Sequence, residues 1–174
     1  MKLIYRLILC FVIVQLFTQN SIGQSKEYML KAGFLEKFAR LSEWPKETAM
    51  DTFKIAVIGE SPFNGALEKM YSDFKILDKP VKINYIATIY ELENSQILFI
   101  SASENENLPY ILAEIENKPV LTVGETKGYA RKGVMINFYE TNMGTVHFEI
   151  NRKAVRKSGI KMDVMLLNFA KLIE

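Results

Sequence analysis

The chain of 174 residues contains one cysteine and one histidine. A single Cys excludes a disulfide-stapled scaffold, and the pair excludes a zinc site of the usual four-ligand kind. Charge of one sign is also missing. The chain has 22 basic and 20 acidic side chains, a net +2, too little for a protein that binds nucleic acid by neutralising many phosphates. Catalytic signatures are absent as well: there is no Gly-x-Ser-x-Gly, P-loop, Gly-x-Gly-x-x-Gly or His-Glu-x-x-His. No repeat, low-complexity tract or Pro/Gly/Ser linker divides the sequence, which predicts one domain. What is present is a 49% hydrophobic composition with mixed charges, the mark of a globular chain rather than a disordered one.

The first residues read as a secretory signal. Lys2 and Arg6 precede an apolar run, Leu7 to Phe17, and Ser21-Ile22-Gly23 offers small residues for cleavage before Gln24. The run is well short of the roughly 20 residues needed to span a bilayer. Cys10 does not suit lipid attachment, because Leu9 precedes it where a small residue is wanted. The expected division is therefore 1–23 signal peptide and 24–174 a single domain. Without Lys2, Arg6 and Cys10 the mature domain is neutral and cysteine-free, so it must be held by packing alone.

Elements follow from periodicity and punctuation. Ser25 caps a helix running to about Ser42, stopped by Trp44-Pro45. Phe53 to Ile58 is a strand, and Ser61-Pro62 reads as cap and first turn of a helix to about Tyr71. Pro80 to Ala87 is a strand. Ile97 to Ile100 is a continuous apolar run, expected as a strand buried on both faces, and Pro119 to Val123 is expected as another buried strand. A helix is expected over Asn107 to Glu116. Val134–Tyr139 and Thr145–Ile150 flank a turn at 141–144 as a hairpin. Asn151 caps a basic helix that Gly159 ends, and a last helix is expected from about Lys161 to Leu172. Its face of Met162, Met165, Leu166, Phe169 and Ile173 has the spacing of a core helix. Strands alternating with helices imply a largely parallel sheet. The expected architecture is a three-layer α/β sandwich with a mixed sheet and a C-terminal antiparallel hairpin.

The first helix carries two apolar ridges: Tyr28, Ala32, Leu35, Ala39, and Leu30, Phe34, Phe38, Leu41. The second meets either more of the same core or a partner chain. Trp44, the only tryptophan, is either a buried anchor or a binding hot spot. Leu30, Phe34, Phe38, Leu41 and Trp44 are thus the candidate partner-binding residues. Ser61, Asn137 and Asn151 are the candidate ligand-binding residues. Gly59 to Gly65 lies between strand and helix, where anions can bind, but Glu60 would repel a phosphate. Glu104-Asn105-Glu106-Asn107 lacks the spacing of a calcium loop. Arg152, Lys153, Arg156, Lys157 and Lys161 make a basic cluster, much of it on one helical face, suited to solvent, to anionic lipid or to an acidic partner. His147 alternates out of the apolar strand face, and no nucleophile is assigned to it. No metal, cofactor or catalytic residue is expected.

Lys31-Ala32-Gly33-Phe34-Leu35-Glu36-Lys37-Phe38-Ala39-Arg40, closing with Glu43-Trp44-Pro45, resembles the opening signature of the YfiR-like periplasmic proteins. Ile58-Gly59 with Pro62-Phe63, Gln96 to Ser101, Val120 to Val123, Gly133 to Phe138, Phe148 to Asn151 and Ser158 to Lys161 with Leu166-Leu167 follow in order, from about Tyr28 to Ile173. The resemblance implies a non-enzymatic periplasmic regulator of α/β fold that tends to dimerise. Its implied partner is the periplasmic sensor domain of a membrane signalling protein, a diguanylate cyclase or a histidine kinase, with consequences for cyclic di-GMP and biofilm formation. One position departs. Ser95 stands where relatives often have a Cys, so redox control through disulfides is not expected here. The competing expectations are a periplasmic small-molecule binder using loops at the carboxyl ends of the parallel strands, and, less favoured, an enzyme built on His147.

Overall fold

The computed structural model describes residues 26–45 and 51–174. The segment read as a signal peptide, with Cys10, and the capping Ser25 lie outside the described residues. In chain order the elements are α1 (residues 26–40), β1 (Ser42–Glu43), β2 (Phe53–Ile58), α2 (Ala66–Tyr71) and β3 (Val81–Ile86). Then come β4 (Ile97–Ile100), α3 (Leu108–Glu114), β5 (Leu121–Gly124), α4 (Tyr129–Lys132) and β6 (Ile136–Glu140). The chain closes with β7 (Val146–Asn151), α5 (Arg152–Ser158), β8 (Lys161–Met162), α6 (Val164–Phe169) and β9 (Lys171–Ile173).

Four apolar residues in succession cannot leave either face of a strand in water. β4 accordingly lies inside the sheet with every residue buried, and so does β5, Leu121-Thr122-Val123-Gly124. The seven-stranded order is β3-β2-β4-β5-β6-β7-β9. The first five strands are mutually parallel, β7 is antiparallel to β6, and β9 is parallel to β7. This is the expected mixed, largely parallel α/β sheet with a terminal hairpin. Thr141 to Gly144 makes the turn, with the Gly144 N–H donating to the Thr141 carbonyl at 2.9 Å.

Helices close both faces. Ile55, Val57, Ile97, Phe99, Leu121 and Val123 meet α1 and α2 in one cluster. Ala56, Ile58, Leu98 and Ile100 meet α3, α4 and the turn at Ile89 in the other. The two ridges of α1 are now explained in large part by the core. Tyr28, Ala32, Leu35 and Ala39 are buried. Phe38 is also fully buried, its ring 4.9 Å from Phe148 and 5.5 Å from Phe138. Phe34 packs on the same pair. The wide apolar surface of α1 therefore fits over the hairpin as well as over the parallel strands.

Two expectations are corrected. The helix after β2 does not start at Ser61-Pro62. Those residues form a turn, in which the Phe63 N–H donates to Ser61 Oγ at 3.4 Å, and the helix begins at Ala66 after Gly65. The continuous last helix is instead strand, short helix and strand. Asp163 is the reason for its start: its carboxylate accepts from the Met165 N–H at 2.7 Å, a cap that cannot sit mid-helix. Met162 before it pairs antiparallel with Ser42. Of the face expected to be core, Leu166 and Ile173 are buried and Met162 is half-buried, whereas Met165 and Phe169 are exposed.

Gly124, at the end of β5, is required by close approach. A Cβ there would lie 2.7 Å from the Tyr129 ring and 3.3 Å from Asn137 Oδ1. Gly124→Ala is expected to lower stability by about 1–3 kcal/mol through overpacking. Phe38→Ala is expected to cost about 3–5 kcal/mol, and the exposed Phe169→Ser less than about 0.5 kcal/mol. Urea denaturation of the three variants measures this order.

Candidate functional site

The carboxyl ends of the parallel strands, where open α/β sheets place ligands, are closed by the chain itself. Strand order reverses between β2 and β4. At that point Ser103 Oγ accepts from the Glu60 N–H at 2.9 Å. Gly59, at φ 85°, lets Ser103 and Glu104 approach so closely that a Cβ would lie 2.4 Å from Ser103 Oγ. Glu60 and Glu104 make this crevice a poor place for an anion. Ser61, beside it, bonds within its own turn and lies against the Tyr85 hydroxyl. Asn137 is interior: its Nδ2 donates to the Phe138 carbonyl at 3.2 Å, and its Oδ1 faces no donor. Asn151 serves the structure and also lines a cavity described below. Its Oδ1 accepts from the Ala154 N–H at 2.8 Å, capping α5, and its Nδ2 donates to the Ala130 carbonyl at 2.6 Å. The structure thus does not bring Ser61, Asn137 and Asn151 to one site.

Chemistry at His147 finds no support either. The ring is exposed and stacks on Tyr139 at 5.8 Å, and among the described residues no hydrogen bond joins it to a hydroxyl or carboxylate. The described residues include no group of His, Cys, Asp and Glu able to hold a metal. Ser95 is buried and donates to the Leu92 carbonyl at 2.7 Å, an ordinary structural hydroxyl.

One charged cluster is built with care. Lys31, on the core side of α1, is buried and pairs with Glu27 and, at 2.7 Å, with Glu125 just beyond β5. The Tyr28 hydroxyl donates to Glu125 at 3.1 Å, and Lys31 Nζ sits 4.5 Å from the Tyr28 ring centre. Burial alone would lower the Lys31 pKa, but the hydrogen bonds and charges of Glu125 and Glu27 outweigh it, and the net shift is upward. Burial, then Glu125, raise the Tyr28 pKa strongly. Glu140 is raised above the usual carboxylate range by its hydrogen bond with Glu27 and by that group's charge. The cluster pins the start of α1 to the sheet.

The surface is more telling. Val164, Met165, Phe169 and Leu172 are all exposed, Phe169 at 74%. Four large apolar side chains within nine residues are an unusual use of surface. α6 starts beside the end of α1, where the Asp163 N–H donates to the Leu41 carbonyl at 2.9 Å. β1 and β8 pair at the same place and tie the Trp44 turn to α6. Of the residues expected to meet a partner, Leu30 is half-exposed, and Phe34, Leu41 and Trp44 are partly covered by the core. Trp44 packs edge-on against Phe53 at 5.7 Å, and its Nε1 is buried without an acceptor. Phe38 offers no surface at all, and its place among the candidates is withdrawn. The α6 residues were hidden from sequence reading because their spacing also fits a core helix. The cap at Asp163 was the available signal.

A cavity of about 400 Å³ opens between the ends of α3 and α4 and the side of α5. It lies near the amino ends of β5 and β6, opposite to the expected ligand end. Leu112, Ile115, Met135 and Ala154 line it with Arg131, Lys132, Lys153 and Lys157 around them.

Breaking the buried cluster by Glu125→Ala is expected to cost about 3 kcal/mol, since Lys31 is left with a single partner. A raised lysine pKa contributes stability that is complete below the unfolded value of about 10.4 and is lost as pH rises through the folded value. The raised Tyr28 acts in the same direction. The domain is therefore expected to weaken above about pH 10, less steeply in Glu125→Ala, as measured by urea midpoints across that range.

Similarity to known proteins bears on the fold and the family. The family model described as YfiR/HmsC-like matches residues 28–171. No curated protein matches. An ABC domain from Streptococcus pneumonia, solved in complex with L-Trp, superposes with TM-score 0.55 at 10% identity, over 80% of this chain and 61% of that one. A conserved domain protein from Vibrio cholerae gives TM-score 0.55 at 7% identity, over 84% of this chain and 60% of that one. The chain spans about three fifths of the length of these structures, and identities this low speak for the fold alone. With nearly all of its α/β domain matched in order, the chain belongs to the YfiR/HmsC-like family.

Proposed function

We propose that this protein is an exported, non-enzymatic regulator that binds the periplasmic sensor domain of an inner-membrane signalling protein and modulates its activity. A diguanylate cyclase is the partner class favoured by the family, with a histidine kinase as the other; the theme is cyclic di-GMP signalling and, through it, biofilm formation. In this reading residues 1–23 direct export and are cleaved, and residues 24–174 act in the periplasm.

The observation that carries the reading is the apolar stripe of Val164, Met165, Phe169 and Leu172. Exposed side chains of this size carry a cost in solubility that a docking surface justifies. Its position beside Leu41 and the Trp44 turn keeps part of the expected surface and moves its centre from α1 to α6. A homodimer belongs to the same reading, since β9 and β3 are the sheet's edge strands among the described residues.

Affinity capture from solubilised membranes with the mature protein as bait is expected to recover an inner-membrane protein with a periplasmic sensor domain. Met165→Glu/Phe169→Glu is expected to lower recovery by at least about tenfold, because two desolvated apolar anchors are replaced by charge. Equal recovery with the double variant would contradict the assigned surface. Recovery of no such protein by the parent chain would contradict the function. Sedimentation velocity checks the dimer.

A further inference from the structure

We propose that the cavity between α3, α4 and α5 is a binding site for a small amphipathic anion, an aliphatic chain ending in a carboxylate. Its volume of about 400 Å³ lies in the range of small-molecule pockets. The apolar lining comes from Leu112, Ile115, Met135 and Ala154, all aliphatic or thioether, and no aromatic ring faces the cavity. That surface suits a flexible hydrocarbon better than a ring, which would seek a stacking partner.

Charge at the mouth selects the head group. Arg131, Lys132, Lys153 and Lys157 line the cavity against a single acid, Glu116. Lys157 neutralises that acid at 3.1 Å, and Lys132 donates to Asn105 at 3.1 Å. Arg131 and Lys153 have no hydrogen-bond or ion-pair partner among the described residues. Two cations left free at the edge of an apolar cavity in a neutral domain are the arrangement an anionic head group needs. Arg131 and Lys132 stand in the last turn of α4 and offset the carbonyl ends there, which would otherwise repel an anion. Deeper in, the buried Thr122 hydroxyl accepts from the Met135 N–H at 2.9 Å, so its own proton remains for one further polar contact. Every element of the site belongs to one chain, and no residue of the α6 stripe lines it.

Isothermal titration calorimetry of the mature chain with octanoate, octanol and octylammonium tests the site with no partner present, so its outcome is separate from that of the proposed function. Octanoate is expected to bind one to one, and the other two at least about tenfold more weakly. Arg131→Ala/Lys153→Ala removes two exposed side chains and is expected to weaken octanoate by about tenfold or more. Ala113→Trp, placed on an exposed lining position, is expected to block binding while leaving the far-ultraviolet circular dichroism and Tm unchanged. Absence of octanoate binding, equal binding of octanol, or octanoate affinity unmoved in both folded variants would each overturn the proposal.

Discussion

The structure depends on two strands that no water may touch. β4 and β5 carry apolar or small side chains on both faces, and the sheet is stable only if both faces are roofed. α1 and α2 supply one roof, α3 and α4 the other. Other features follow from this demand. α1 must extend from the parallel strands over the hairpin, which is why it carries Phe34 and Phe38 toward Phe138 and Phe148. Its first turn must be held down beyond β5, which the buried Lys31 does through Glu125.

The same demand shapes the places left for function. The crevice where ligands commonly enter such sheets is filled by Ser103 and Glu104 over Gly59. Roofing is thinner at the opposite end, where three short helices end or pass beside the sheet, and there a cavity remains. Beyond the roofs, α6 is an appendage. It is anchored by Leu166 from below and by the β1–β8 pairing at its start, so its outer residues are free to be apolar for a partner.

Most of this was legible in the sequence where a pattern had one physical solution. Phe53 to Ile58 was read as a strand and Ile97 to Ile100 as one buried on both faces, and residues 141–144 as the turn of a hairpin, as found. Asn151 and Gly159 bounded α5 by cap chemistry. The misreadings came where two solutions share one pattern. Met162, Met165, Leu166 and Phe169 have helical spacing, yet the Asp163 cap and the pairing of Met162 with Ser42 shorten the helix and turn half of that face to solvent. Asn137 and Asn151 were visible as polar residues among apolar ones, but whether a buried amide serves a ligand or the backbone depends on contacts far apart in sequence. The cavity lies between segments distant in the chain, so the sequence marked three residues of its lining, Asn151, Lys153 and Lys157, without showing that they share a cavity.

The central claim is that partner recognition lies on α6 and the adjoining Trp44 turn. Hydrogen–deuterium exchange of the mature chain, alone and bound to the periplasmic domain of its captured partner, tests it most directly. The account predicts slowed exchange at 161–173 and 41–45, with α3 and α4 unchanged. Protection confined to α3 and α4, with 161–173 exchanging as in the free chain, would contradict it.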